Sequence, residues 1–205
     1  VPRLYVIAVC SATVVGIVLG VVIHNVFATP SARARPSLPT LYGQATWKSG
    51  AAHAPPVALR DQHGRRFSLA SLRGRTVVLA FMDSLCKAEC PLEAAQLAAA
   101  VKPLPSSSRP RLVIVSVDLA DTPRSVAAAA RRWHLPARFE WLLGTHAQLA
   151  PVWRAYGIEV DPTKSGDVAH SDAFYLIDAN GDERAAFLSP FIPGLVTRDL
   201  SRLAS

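Results

Sequence analysis

Cysteine is scarce. The chain has 205 residues and three cysteines, Cys10, Cys86 and Cys90. So few exclude a disulfide scaffold, because a single bridge cannot be the main staple of a domain this long. Acid is scarce where base crowds. Arg33, Arg35, Lys48, Arg60, Arg65, Arg66, Arg73 and Arg75 stand in a region where Asp61 is the one acid, and the whole chain carries +7. Aromatic residues make up 7%. No aromatic platform or reading helix accompanies the arginines, so nucleic acid is excluded as a partner. The basic stretch reads as a solvated face or a contact to anionic lipid. A closed zinc set is also missing, since no fourth ligand has diagnostic spacing.

One long apolar run is present, at the N-terminus. Residues 4–23 hold 20 positions without a charge, about 30 Å as a helix, the thickness of a bilayer's hydrocarbon. The small-x-small triplet Ala32-Arg33-Ala34 offers a cleavage site. The run is long for a cleaved signal, so an uncleaved anchor over residues 1–28 is the favoured reading. Either way the rest of the chain is exported, and the expected location is a single-pass membrane protein with its domain on the extracytoplasmic side. Residues 29–56, rich in Pro, Ala, Ser and Arg, read as a tether, from which Tyr42 and Trp47 tuck onto the domain.

The remaining residues, 57–205, are organised around one stretch. Residues 76–82 (TVVLAFM) are a near-continuous apolar run, as a strand buried on both faces should be. A loop follows, with Cys86 and Cys90 four apart, and then Pro91, well placed as the first helical residue of the turn that opens there. The spacing puts Cys90 in that turn and Cys86 in the loop before it. The two sulfurs can converge on one ion or form a disulfide, and the helix N-terminus and Lys87 should lower the thiolate pKa. An inert bridge or two buried thiols is the bland alternative. Residues 57–69 read as a hairpin turning at His63-Gly64. A second apolar strand covers 111–118. Thr122-Pro123 starts a helix running to about His134. A short strand, 139–143, precedes a helix opened by the capping-box pair Thr145 and Gln148. Residues 158–169 are irregular, with turns at Pro162 and Gly166. Strands at 173–178 and 184–188 flank a turn, and a last amphipathic helix starts near Pro193. The fold class is α/β: a thioredoxin-like mixed sheet with helices on both faces, its cysteine loop at the C-terminal end of a strand, where such sheets place their sites.

Cys-x-x-x-Cys-Pro after a strand, Ser116-Val117-Asp118 with Asp121-Thr122-Pro123 after the next, and His170-Ser171 ahead of the strand Phe174 to Asp178 followed by Gly181 together resemble the Sco/SenC family. Those are membrane-anchored thioredoxin-fold copper proteins linked to assembly of the copper centre of cytochrome c oxidase. The resemblance covers about residues 57–203. It implies copper ligands at Cys86, Cys90 and His170. Lys87 and Ala88 stand where the family has a proline and an acid, and Leu119 where it has a proline. Two thiolates and an imidazole form a soft set, suited to Cu(I) and able to hold Cu(II) with a further ligand; Asp83, Glu89 or Asp118 could add an oxygen.

The expected function is therefore a metallochaperone that hands copper, as Cu(I) or Cu(II), to a protein such as an oxidase subunit or another copper chaperone. The alternative is a thiol-disulfide oxidoreductase acting on a partner's cysteines, with Cys86 attacking and Cys90 resolving. Three residues separate the cysteines, rather than the two of a general thioredoxin, and Ala169-His170 occupies the place of its cis-proline. Ser84-Leu85-Cys86-Lys87 lacks the arrangement of a peroxidatic cysteine.

Overall fold

The computed structural model describes residues 41–161 and 168–204. The expected anchor, the cleavage triplet and the turns at Pro162 and Gly166 lie outside these residues. Among the described residues no helix is long and apolar enough to cross a membrane.

Eight strands form one sheet in the order β1-β8-β7-β4-β5-β6-β2-β3. They are β1 (Ala45–Thr46), β2 (Ala58–Asp61), β3 (Arg66–Ser68), β4 (Val77–Met82), β5 (Arg111–Ser116), β6 (Phe139–Leu143), β7 (Ala173–Ile177) and β8 (Glu183–Leu188). Among the described residues there are four α-helices, α1 (Glu89–Val101), α2 (Pro123–Arg132), α3 (His146–Ala155) and α4 (Pro193–Leu203). β4 lies between β5, which it pairs in parallel, and β7, which it pairs antiparallel. All six of its side chains are buried, which is why its sequence is unbroken in apolar residues rather than alternating.

Each face of the sheet carries its own core. Val78, Ala80 and Met82 of β4 join Ile114, Phe174 and Leu176 beneath helices α1, α2 and α4. Val77, Leu79 and Phe81 face the other way, toward Leu149, Val152, Trp153 and Tyr156 at α3. The mixed sheet with helices on both sides is thus as expected. The cap signals also hold. Thr122 Oγ1 accepts the Ser125 N–H at 3.1 Å, and Gln148 Oε1 accepts the Thr145 N–H at 2.9 Å, each satisfying an otherwise orphan donor.

The folded unit differs from expectation at its start. From Leu41 onward the chain already belongs to it. β1 pairs with β8, Leu41 is buried in the core, and the Tyr42 and Gly43 N–H groups donate to Asp199 Oδ2 at 2.7 and 3.2 Å. A Cβ on Gly43 would lie 2.8 Å from Ala185 Cβ and 2.8 Å from the Ala186 carbonyl oxygen. Glycine alone permits so close a crossing. A two-residue strand has no period to read, so this stretch looked like tether.

Candidate metal and dithiol site

The cysteine loop leaves β4 at Met82 and is tied down over its first residues by two carboxylates, buried Asp83 and half-buried Asp121. Asp83 Oδ1 accepts the Leu85 N–H at 2.6 Å, and the Asp83 carbonyl accepts the Cys86 N–H at 3.2 Å. Asp83 Oδ2 also accepts the Val168 N–H at 3.4 Å, which fastens the loop to the segment leading into His170. Asp121, on the loop after β5, accepts the Ser84 N–H at 3.0 Å and the hydroxyls of Ser84 and Ser116. Trp141 Nε1 donates to Ser116 Oγ and Trp153 Nε1 to the Ser116 carbonyl. The Ser-Val-Asp and Asp-Thr-Pro stretches therefore serve as an anchor for the cysteine loop. Burial pushes the Asp121 carboxyl up to about 6 against the pull of its serine donors.

Helix α1 begins at Glu89, two residues before Pro91, and its N-cap residue Ala88 has no capping side chain. The Cys86 sulfur serves as the acceptor instead, with the Cys90 N–H pointing to it at 3.4 Å. The thiol of Cys86 is drawn down to about 6, first by the Cys90 thiol as hydrogen-bond partner, against burial, and then by the N–H groups of Cys90, Ala88 and Glu89. The thiol of Cys90 is pushed up, because it holds the shared proton and is buried. The helix N-terminus acts as the sequence implied. Exposed Lys87 is not among the leading causes of the shift. Both cysteines are free thiols. Alkylation of Cys86 is expected to rise with pH around a midpoint of about 6. Replacing Cys90 by alanine removes the hydrogen bond and should move that midpoint upward; an unmoved midpoint would show that the helix alone sets it.

His170 sits just before β7, bridged to Val160. Its ring is 4% exposed, with Nε2 3.5 Å from Asp172 Oδ1. Nδ1 lies 3.0 Å from the Ser171 carbonyl oxygen. A carbonyl only accepts, so Nδ1 is the donor in that contact and Nε2 is the ring nitrogen facing Asp172, a carboxylate that also only accepts.

The structure brings Cys86 and Cys90 together. His170 is one loop away, joined through Asp83 and Val168. Among the described residues no three His, Cys, Asp or Glu side chains gather closely enough to hold a metal ion. The donors nonetheless suit a soft cation, with two adjoining sulfurs, one already acidified, and an imidazole whose Nδ1 is taken up by the Ser171 carbonyl. The carboxylates of Asp83 and Asp118 are engaged with their own loops, and Glu89 is exposed.

Sequence reasoning passed over Glu93. It lies one turn after Cys90, on the same face of α1, and is 2% exposed. Its Oε1 has no hydrogen-bond partner among the described residues. Burial, and then the charges of Asp172 and Cys86, push its carboxyl up to about 8. The carboxyl thus feels both the cysteine loop and the residues beside His170. The i, i+3 spacing from Cys90 was the available signal.

Fold and site together define a thioredoxin-like domain with a dithiol where the central strand runs out. The SCO1/SenC family model matches residues 46–205, and the chain belongs to that family. A protein of Stutzerimonas stutzeri named as copper-binding is 29% identical over 143 residues, 66% of this chain and 69% of that one. The structure of Bradyrhizobium japonicum ScoI with copper bound superposes with a TM-score of 0.63 at 26% identity, covering 74% of this chain and 99% of that one. A SCO1/SenC family lipoprotein from Bacillus anthracis gives 0.67 at 25% identity, over 78% and 100%.

Proposed function

We propose that this chain is a copper metallochaperone whose cargo is held by the thiolates of Cys86 and Cys90 with His170 as third ligand. The observation that carries the reading is the paired sulfurs at the strand end, with Cys86 held near pKa 6 by the turn that carries Cys90. Copper bound in the Bradyrhizobium relative supports it. Cu(I) replaces the proton the two sulfurs share. The segment from Val168 to His170 moves toward the loop to bring Nε2 into reach. A partner's own thiolates or imidazoles then displace the protein's ligands one at a time. The partner is a copper-receiving protein such as an oxidase subunit or a second chaperone, in cytochrome c oxidase assembly. The domain works on the extracytoplasmic side, tethered through residues 1–28 and the stretch before Leu41.

The test is binding of Cu(I) and Cu(II), separately, to the reduced full chain and to His170→Ala. One tight equivalent is expected, and the variant should bind at least about tenfold more weakly, since one of three ligands is gone. Absence of tight copper in the fully reduced protein would sink the reading. Unchanged binding in the variant would remove His170 from the site.

The unequal thiols favour a second reading, exchange with a partner disulfide. The Cys86 thiolate attacks one sulfur of that disulfide and expels the other as thiolate. Cys90, losing its proton, then attacks Cys86 and releases the reduced partner, leaving Cys86–Cys90 oxidised. Turnover on a disulfide substrate without copper distinguishes it.

A further inference from the structure

The topology gathers exposed apolar side chains at one end of the sheet. β4 and β5 run in parallel, and β8, twice reversed through β7, runs with them. All three finish at the end that carries the cysteine loop. The four large apolar residues that stand exposed among the described residues are Leu92 (54%), Leu119 (41%), Leu188 (52%) and Ile192 (66%). Leu92 is in the first turn of α1, Leu119 follows β5, Leu188 ends β8 and Ile192 follows it. All four therefore belong to the thiol end.

Beside that end an open cleft of about 620 Å³ runs between α1 and α2. Leu85, Pro91, Ala95 and Ala128 supply its apolar lining, and Lys87 and Arg132 its charge. Among the described residues no carboxylate lines it. Arg132 donates from Nη2 to the Ser84 carbonyl at 3.3 Å and lies 5.7 Å from the centre of the Trp133 ring, so its charge is held at the cleft. Leu85 and Lys87 flank Cys86, and Pro91 follows Cys90. Whatever fills the cleft touches residues next in sequence to both cysteines. An apolar lining under cations, with no anion, is complementary to an apolar side chain flanked by carboxylates.

We propose that this cleft docks an acidic, apolar segment of the partner protein, with its carboxylates at Lys87 and Arg132 and its apolar side chain over Pro91 and Ala95. The inference rests on the dithiol being the point of transfer and names the chemistry of what approaches it. Docking there brings the partner's own ligands to the exposed side of the cysteine loop, and the apolar ring of Leu92 and Leu119 excludes water around the exchange.

The test uses the reduced full chain and three dye-labelled twelve-residue peptides read by fluorescence anisotropy. One has a central Phe flanked by Glu, one the same Phe flanked by Lys, and one Glu with Ala in place of Phe. The acidic Phe peptide should bind, the other two about tenfold or more weakly, and bound peptide should slow alkylation of Cys86. Ala95 is exposed and distant in role from the thiols. Ala95→Glu should weaken the acidic Phe peptide by about threefold or more, and Ala95→Lys should not, because the two differ mainly in charge at one surface site. Equal binding of all three peptides, no effect of Ala95→Glu, or no protection of Cys86 would overturn the proposal. So would stronger binding to phosphatidylglycerol vesicles that the same Ala95→Glu abolishes, which would make the face a lipid contact. Cu(I) titration of both Ala95 variants is expected to match the native chain. Intact copper binding without docking fails the cleft alone, whereas docking without copper fails the cargo reading alone.

Discussion

Serine in place of Cys86 or Cys90 is expected to lower Cu(I) affinity on the order of 10³-fold, equivalent to about 4 kcal/mol. A soft, monovalent cation gains most from thiolate, and a serine hydroxyl is a hard donor that stays protonated at neutral pH. The two variants are not equivalent in their free state. Serine at position 90 still offers a hydroxyl hydrogen to the Cys86 sulfur, so Cys86 remains acidic. Serine at position 86 leaves Cys90 buried and without the N–H groups that reach Cys86. Competition with a chromophoric Cu(I) chelator at pH 7 reads both. Affinity within about threefold of native for either variant would mean that the metal is not held by the pair.

The second large effect concerns Glu93. Its carboxyl has an ordinary value of 4.5 in the unfolded chain and is pushed up to about 8 in the fold, chiefly by burial. Between those values the folded state keeps a proton that the unfolded state has released. Stability therefore falls as pH rises from about 4.5 to about 8, by roughly 3–5 kcal/mol in total. Glu93→Gln keeps the shape and removes the ionisation. Relative to the variant, the native chain should lose most of that stability between pH 5 and pH 9, read from urea midpoints of both proteins at each pH. Asp121 and Cys86 titrate in both proteins, so their contributions cancel in the comparison. Parallel pH profiles would show that Glu93 is solvated or ion-paired in solution.

Much of the site was legible because it depends on local chemistry. The apolar run at 76–82, the cysteine spacing of four and Pro91 together specify a strand, a loop and a helix start. Thr122 and Thr145 announce their helices through hydrogen bonds only three residues long. Other features depend on partners remote in sequence. Asp83 reads as one more possible ligand until Val168, 85 residues away, is found on its carboxylate. Asp121 reads only as the first residue of the Asp121-Thr122-Pro123 motif until Ser84 and Ser116 are found donating to it. The β2–β3 hairpin was readable, but its pairing on β6 was not, because nothing in a hairpin's own alternation names the strand it will join.

The sequence by itself determined the class of fold, the position of the dithiol at the end of a buried strand and the soft character of its donors. These follow from hydrophobic period, turn residues and side-chain chemistry, which act over a few residues. Only the tertiary structure decided that Cys86 is the more acidic thiol, that the unit begins at Leu41, that Glu93 is buried with no partner for Oε1 among the described residues, and that exposed apolar residues and a cation-lined cleft stand beside the cysteine loop. Each of those depends on which distant surfaces exclude water from a group and which donors are left facing it, and that is settled when the sheet and helices pack.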